Sequence, residues 1–209
     1  MILRPLEFKS FCDVFIDPGE KYFVALFGRK KYVEGIKSSE PALLWRGLVD
    51  KKNIQRKVEQ LNANWKLRDG RPWPMSALAV YINPNPRDLY TASYKTVGKL
   101  AEEMSKGIYR PDQVAMSCIQ KHGKRKWIHF DIDTKDRFVI DDIRNIVKHL
   151  GVWIETKNGY HLLLQHGKTP IGTWYKDITS HRDVDKCGDQ LMPIPGCIQG
   201  DFIPKVVNL

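Results

Sequence analysis

Apolar and polar positions recur along the chain with two periods, one suited to strands and one to helices. Residues 21–28 (KYFVALFG) are an apolar run closed by Gly28 and predict a strand. In 52–62, Ile54, Val58 and Leu61 fall at helical spacing among polar neighbours and predict a helix. Residues 63–74 carry a glycine and two prolines and read as a connection. A buried strand is expected over 75–82, broken by NPNPRD at 83–88. Residues 91–106 predict a helix capped by Thr91, with Val97, Leu100 and Met104 on its inward face. Residues 111–122 predict another, opened by Pro111.

The second half has a clearer rhythm. Residues 126–133 (KWIHFDID) alternate as a strand does. Residues 138–150 place Ile140, Ile143, Val147 and Leu150 on one helical face, stopped by Gly151. Residues 152–156 and 160–165 are two strands joined by KNG, a β-hairpin. A short helix over 171–180 and a last strand within 189–207 complete the order β-α-β-β-α-β. That order predicts an α+β fold, a split sandwich with an antiparallel sheet.

The length of 209 residues suits one domain, or two small modules sharing a site. Lys and Arg number 34 against 24 Asp and Glu, a net charge of +10, which favours a polyanionic partner. Arg46, Lys51, Lys52, Arg56, Lys57, Lys66, Arg68 and Arg71 form one basic cluster, with Trp65 and Trp73 beside them. Lys121, Lys124, Arg125 and Lys126 form another, followed by Trp127. Such aromatics stack on unpaired bases or pack in the core. No run approaches the length of a membrane span and no secretory leader opens the sequence, so a cytoplasmic protein without a membrane partner is expected. Cys12, Cys118, Cys187 and Cys197 form no CxxC pair, so neither a zinc ribbon nor a disulfide framework is indicated.

Three short motifs carry chemistry. Asp131 and Asp133 end an apolar strand, and residues i and i+2 of a strand share a face. Two adjacent carboxylates repel unless a cation lies between them, and hard oxygens suit Mg²⁺ or Mn²⁺. Thr156-Lys157-Asn158-Gly159-Tyr160-His161 is a tight turn that delivers backbone amides, a lysine and a histidine, the parts of a triphosphate cradle. Arg182-Asp183-Val184-Asp185 repeats the i, i+2 relation. Arg87, at the end of the Asn-Pro-Asn-Pro run, is a candidate for template or phosphate, or a surface arginine on a stiff turn.

Asp131-x-Asp133, Gly159-x-His161 and an aspartate ahead of Pro195-Gly196 together resemble the catalytic core of the archaeo-eukaryotic primase superfamily, in particular the small primase–polymerases of plasmids and phages. The resemblance covers residues 75–207. It implies a single catalytic domain over 1–209, with an N-terminal α/β module (1–108) packed on an RRM-like antiparallel palm (109–209) and the template between them. It implies that Asp131, Asp133 and Asp185 hold Mg²⁺ or Mn²⁺, with Asp183 the alternative to Asp185. It assigns the nucleotide to His161, Gly159, Lys157 and Lys205. Arg87, Lys124 and Arg125 would then meet nucleic acid.

The implied activity is primer synthesis on single-stranded DNA from NTPs or dNTPs, in a cell or in a viral host's cytoplasm, with a replicative helicase as a separate partner. The sequence departs from the family before the Pro-Gly loop, where many relatives carry arginines and Gln190 and Pro193 stand nearby here. Two other readings use the same residues: an RRM-like module that binds single strands without catalysis, and a metal-dependent nuclease or nucleotide hydrolase.

Overall fold

The structure, a computed structural model, describes residues 3–37, 40–61 and 65–209. Position 62 of the expected helix and 63–64 of the connection lie outside them. Among the described residues six α-helices and nine strands form an α+β fold with two antiparallel sheets.

The N-terminal part opens with α1 (Pro5–Phe15), which the sequence reading passed over. Phe8, Phe11, Cys12 and Phe15 are buried at helical spacing, and Pro5 opens the helix where a missing N–H costs nothing. There follow β1 (Tyr22–Gly28), β2 (Leu43–Val49), α2 (Ile54–Gln60) and β3 (Leu78–Ile82). Residues 75–77, expected as strand, form a 3-10 turn instead. Next come α3 (Leu89–Ser105) and α4 (Pro111–Lys121), which pack on each other.

The cap of α3 is Asp88, not Thr91: its carboxylate accepts from the Thr91 N–H at 3.0 Å and from the Thr91 hydroxyl at 2.6 Å. The inward face expected for α3 is also corrected. Val97 is 71% and Met104 53% exposed, and only Ala92 is fully buried.

The second part runs β4 (Trp127–Ile132), α5 (Arg137–Val147), β5 (Gly151–Glu155), β6 (Tyr160–Gln165), α6 (Trp174–Ser180) and β7 (Val184–Lys186), a β-α-β-β-α-β order whose last strand falls at 184–186 and not within the expected 189–207. Lys148, with φ +53°, ends α5 rather than Gly151, which begins β5. Two further strands, β8 (Met192–Pro193) and β9 (Lys205–Val207), go to different sheets. One sheet runs β2-β1-β3-β8 and the other β7-β4-β6-β5-β9. The division at residue 108 is therefore not clean: α4 packs on α3, and β8 returns from the C-terminal part to the first sheet.

Strand alternation assigns each face a role. Phe130, Ile132, Trp153, Leu162 and Leu164 face α5 and α6 in one core. Ile154 and Leu163, on the opposite face of the same sheet, join Phe11, Phe15, Leu26, Val80 and Ile82 in the other core. The second sheet is thus buried on both faces. At the C-terminal end of β4, polar side chains replace apolar ones between the layers.

Candidate active site

Three neighbouring strands place one residue each in a row. Asp131 of β4 lies opposite Asp185 of β7 on one side and His161 of β6 on the other. Residues directly paired across an antiparallel ladder share a face, so the three side chains project together. Asp133 follows two residues later on that face, its N–H bonded to the Asp183 carbonyl at 2.8 Å. Between Asp183 and Asp185, the register sets Asp185 against Asp131. Asp183 has the Arg182 guanidinium 3.5 Å from its carboxylate.

The row concentrates negative charge in a half-dry place. Burial, and then the charges of Asp133 and Asp185, push the Asp131 carboxyl up to about 6. The buried Cys187 thiol is pushed up to about 12, chiefly by burial, with Asp131 as the next cause.

His161 is held from behind. Its Nδ1 lies 2.9 Å from Nε2 of the fully buried His129 and 3.4 Å from Asp131 Oδ1. Only one proton fits between the two ring nitrogens, so each ring fixes the other's tautomer. Burial lowers His161 to about 4, and it lowers His129 well below the ordinary histidine value, with the His161 charge adding to the effect. His129 Nδ1 is buried without a hydrogen-bond partner. The sequence reading did not single out His129, although its place two residues before Asp131 puts it on the same face.

The turn between β5 and β6 rests on the end of β4. A Cβ on Gly159 would lie 1.8 Å from the Ile132 carbonyl oxygen and 2.9 Å from the Thr134 nitrogen. Glycine is what lets the turn close over the Asp131–Asp133 backbone. The Gly159 N–H donates to Thr156 Oγ1 at 3.2 Å within the turn. Lys157 does line the cleft and pairs with Asp201 at 2.7 Å.

Asp131, Asp133, Lys157 and His161 line a cleft of about 250 Å³ together with Arg29 and Tyr81 from the first sheet side. Arg29 directly follows β1. Its guanidinium carbon is 5.2 Å from the centre of the Tyr81 ring, and its Nε is buried without a partner. Tyr81, hydrogen-bonded to the Gln199 side-chain amide, is pushed up to about 12 by burial. Arg29, Tyr81 and Leu191 also line a groove of about 610 Å³ that continues to Ser117, Gln120 and Lys121 of α4. Arg29 went unnoticed in the sequence because nothing in its neighbourhood marks a motif.

Other expected residues stand elsewhere. Lys205 is paired across the ladder with Glu155, on the opposite sheet face from the row, and its Nζ is 3.2 Å from the Glu155 carboxylate. Arg87 is buried and fully used: it donates to the Asn85 and Gln120 carbonyls and forms a two-pronged pair with Asp189 at 2.8 and 2.9 Å. It ties β3, α4 and the 189 loop together and is not a surface for nucleic acid. Lys124 is bound to Glu20 at 2.6 Å. Arg125 stands ahead of β4 in a turn closed by the Lys126 N–H, which donates to the Lys124 carbonyl at 2.9 Å, and it lines a different cavity, with Trp127 and Asp189. Trp73 and Trp127 are buried in the core, and Trp65 packs partly against it. The Pro195–Gly196 turn anchors α1: the Arg4 N–H donates to the Gly196 carbonyl at 2.8 Å, and a Cβ on Gly196 would meet the backbone of Phe8 and Arg4.

The donor set suits a hard divalent cation. Asp131, Asp133 and Asp185 offer only carboxylate oxygens, and burial, then the charges of the other two, raises Asp131. Among the described residues no helix is long and apolar enough to cross a membrane. Comparison of the chain with family models, with curated proteins and with solved structures finds no match.

Proposed function

We propose that this protein is a primase–polymerase that builds short strands on a single-stranded DNA template from NTPs or dNTPs and extends them. The reading rests on one observation above the others: Asp185, Asp131 and His161 stand in register on three adjacent strands, and Asp131, Asp133 and His161 line a cleft between two layers. In this reading the β-α-β-β-α-β layer is the palm and the first sheet faces it across template and nucleotide.

Asp131, Asp133 and Asp185 would hold Mg²⁺ or Mn²⁺, which supplies activation of the attacking hydroxyl and charge neutralisation at the leaving pyrophosphate. The chain's own groups do the positioning. His161, with Nδ1 engaged by His129, presents Nε2 to the triphosphate. Arg29 and Lys157 add positive charge at the cleft walls and take the place of Lys205 in the expected set. The 3′ oxygen bonds to the α-phosphorus, the bond from that phosphorus to the pyrophosphate oxygen breaks, and the hydroxyl proton leaves to water. A binding module would have no use for a row of carboxylates on its nucleic-acid face, since these repel phosphate.

The test is primer-free synthesis on single-stranded DNA with labelled nucleotides and Mg²⁺ or Mn²⁺. Short strands from the unmodified protein, and none from Asp131→Ala or Asp133→Ala at undiminished DNA binding, is the expected result. Synthesis by either variant at the normal rate would remove the carboxylates from the mechanism. Shortened DNA or free phosphate in place of longer strands would make the protein a hydrolase.

A further inference from the structure

The helix α3 is amphipathic the wrong way round. Its better-buried side carries Ala92, fully buried, and Thr96 and Leu100, half-buried, and the helix packs on α4. Its outer side carries Tyr90, Tyr94, Val97 and Met104 at spacings of four, three and seven, which form one continuous helical stripe. These four side chains are 81%, 76%, 71% and 53% exposed. Beside the stripe, α3 and α4 enclose a groove of about 760 Å³, whose apolar wall includes Tyr94, Val97 and Cys118. Gly98 sits at the groove in mid-helix, where glycine weakens a helix, and nothing lies within 4 Å of the Cβ it lacks. No packing inside this chain explains that glycine, whereas a helix laid into the groove needs the space.

We propose that this groove docks an acidic amphipathic helix of a partner protein. Charge selects the occupant. Lys95, Lys99 and Lys121 rim the groove, and none has an ion pair among the described residues. The acid that lines the groove with them, Glu102, is held by Lys106 at 2.5 Å. A partner with carboxylates flanking its apolar stripe gains at each lysine. A second copy of this chain would instead bring the same lysines and a net +10 against themselves. Single-stranded nucleic acid would use the tyrosines and the lysines, but Val97, Met104 and Gly98 offer it no stacking surface. A stripe at helix–helix spacing is recognised by another helix.

The probe is a labelled peptide of about 18 residues, five helical turns, with leucines at i, i+4, i+7 and i+11 and glutamates flanking them. Its controls are the same composition shuffled off one face, and the same stripe with lysine for glutamate. Fluorescence anisotropy should show binding of the acidic stripe at least about tenfold tighter than either control. Val97→Glu, and separately Lys95→Glu/Lys99→Glu, should each weaken it by a similar factor, with unchanged thermal melting. Primer synthesis by Val97→Glu should be normal, which separates this surface from the site chemistry. Equal binding of the shuffled peptide, or full binding by Val97→Glu, overturns the proposal. So does a self-association of the unmodified protein, or a retention of oligo-dT, that Val97→Glu abolishes, since the occupant is then a second copy or a nucleic acid.

Discussion

Ionising Asp131 at neutral pH works against the fold, because burial in a half-dry cleft, and then two neighbouring carboxylates, oppose its charge. A rise from 3.8 to about 6 corresponds to about 3 kcal/mol if undiminished. The side chain is 35% exposed, so screening reduces the effect to about 1–2 kcal/mol. The sign follows from linkage: the raised value means that the native state holds the proton more tightly than the unfolded chain. Stability from this group is present at low pH and lost as pH rises through about 6. Asp131→Asn, measured in chelator, should therefore melt a few degrees above the unmodified protein at pH 8, and the gap should close towards pH 4. The same variant should make no primers. A lower melting temperature at pH 8 would mean that the carboxylate stabilises the fold and that repulsion is not what raises it. At this scale the sequence was partly legible. Strand periodicity alone puts Asp131 and Asp133 on one face, but that Asp185 stands opposite Asp131 is seen only in the pairing of β7 with β4. Arg29 and Tyr81 reach the cleft through tertiary packing, which no local pattern encodes.

The elements that read well are those whose patterns are long enough to have a period. The strand β4, the hairpin of β5 and β6, and α5 each repeat an apolar position at least three times on one face, and each formed where expected. The strands β7 and β8 have three and two residues. Their extended form comes from the partners they pair with, so no pattern could announce them. The α3 stripe was misread for a different reason. Apolar residues at helical spacing say that a face will be covered, not that the same chain covers it. Gly159 shows how closely one element can depend on another. The turn touches the backbone between Asp131 and Asp133, and neither side of that contact can yield as a flexible side chain would. Gly159→Ala should cost about 1–3 kcal/mol and lower the melting temperature by several degrees. It should also reduce synthesis more than a stability loss of that size explains, because it pushes His161 and the aspartates apart. Melting and synthesis equal to the unmodified protein would show that the hairpin can shift away without consequence.

The cleft exists only because two layers share a core. Ile154 and Leu163 leave their own sheet to pack with Phe15, Leu26 and Ile82, and the Trp127 ring lies 5.1 Å from that of Phe15. The strand β8 crosses back to pair with β3, and the Gly196 turn holds the start of α1. Each of these links joins the C-terminal part to the N-terminal part, and Arg29 faces Asp131 and His161 across the same seam. The layers should therefore unfold together. Tryptophan fluorescence reports Trp73 in one core and Trp153 in the other, while far-UV circular dichroism reports both sheets. The two signals should give one coincident thermal transition. Residues 109–209 made alone would expose Ile154, Leu163 and Val206 on one sheet face and leave β8 without a sheet. That fragment should be aggregated or loosely packed, with dye-binding apolar surface and no sharp transition. Two separated transitions in the full chain, or a fragment that melts cooperatively, would instead make the layers independent domains. The cleft would then be a hinge between them, and its geometry would be set by what binds there.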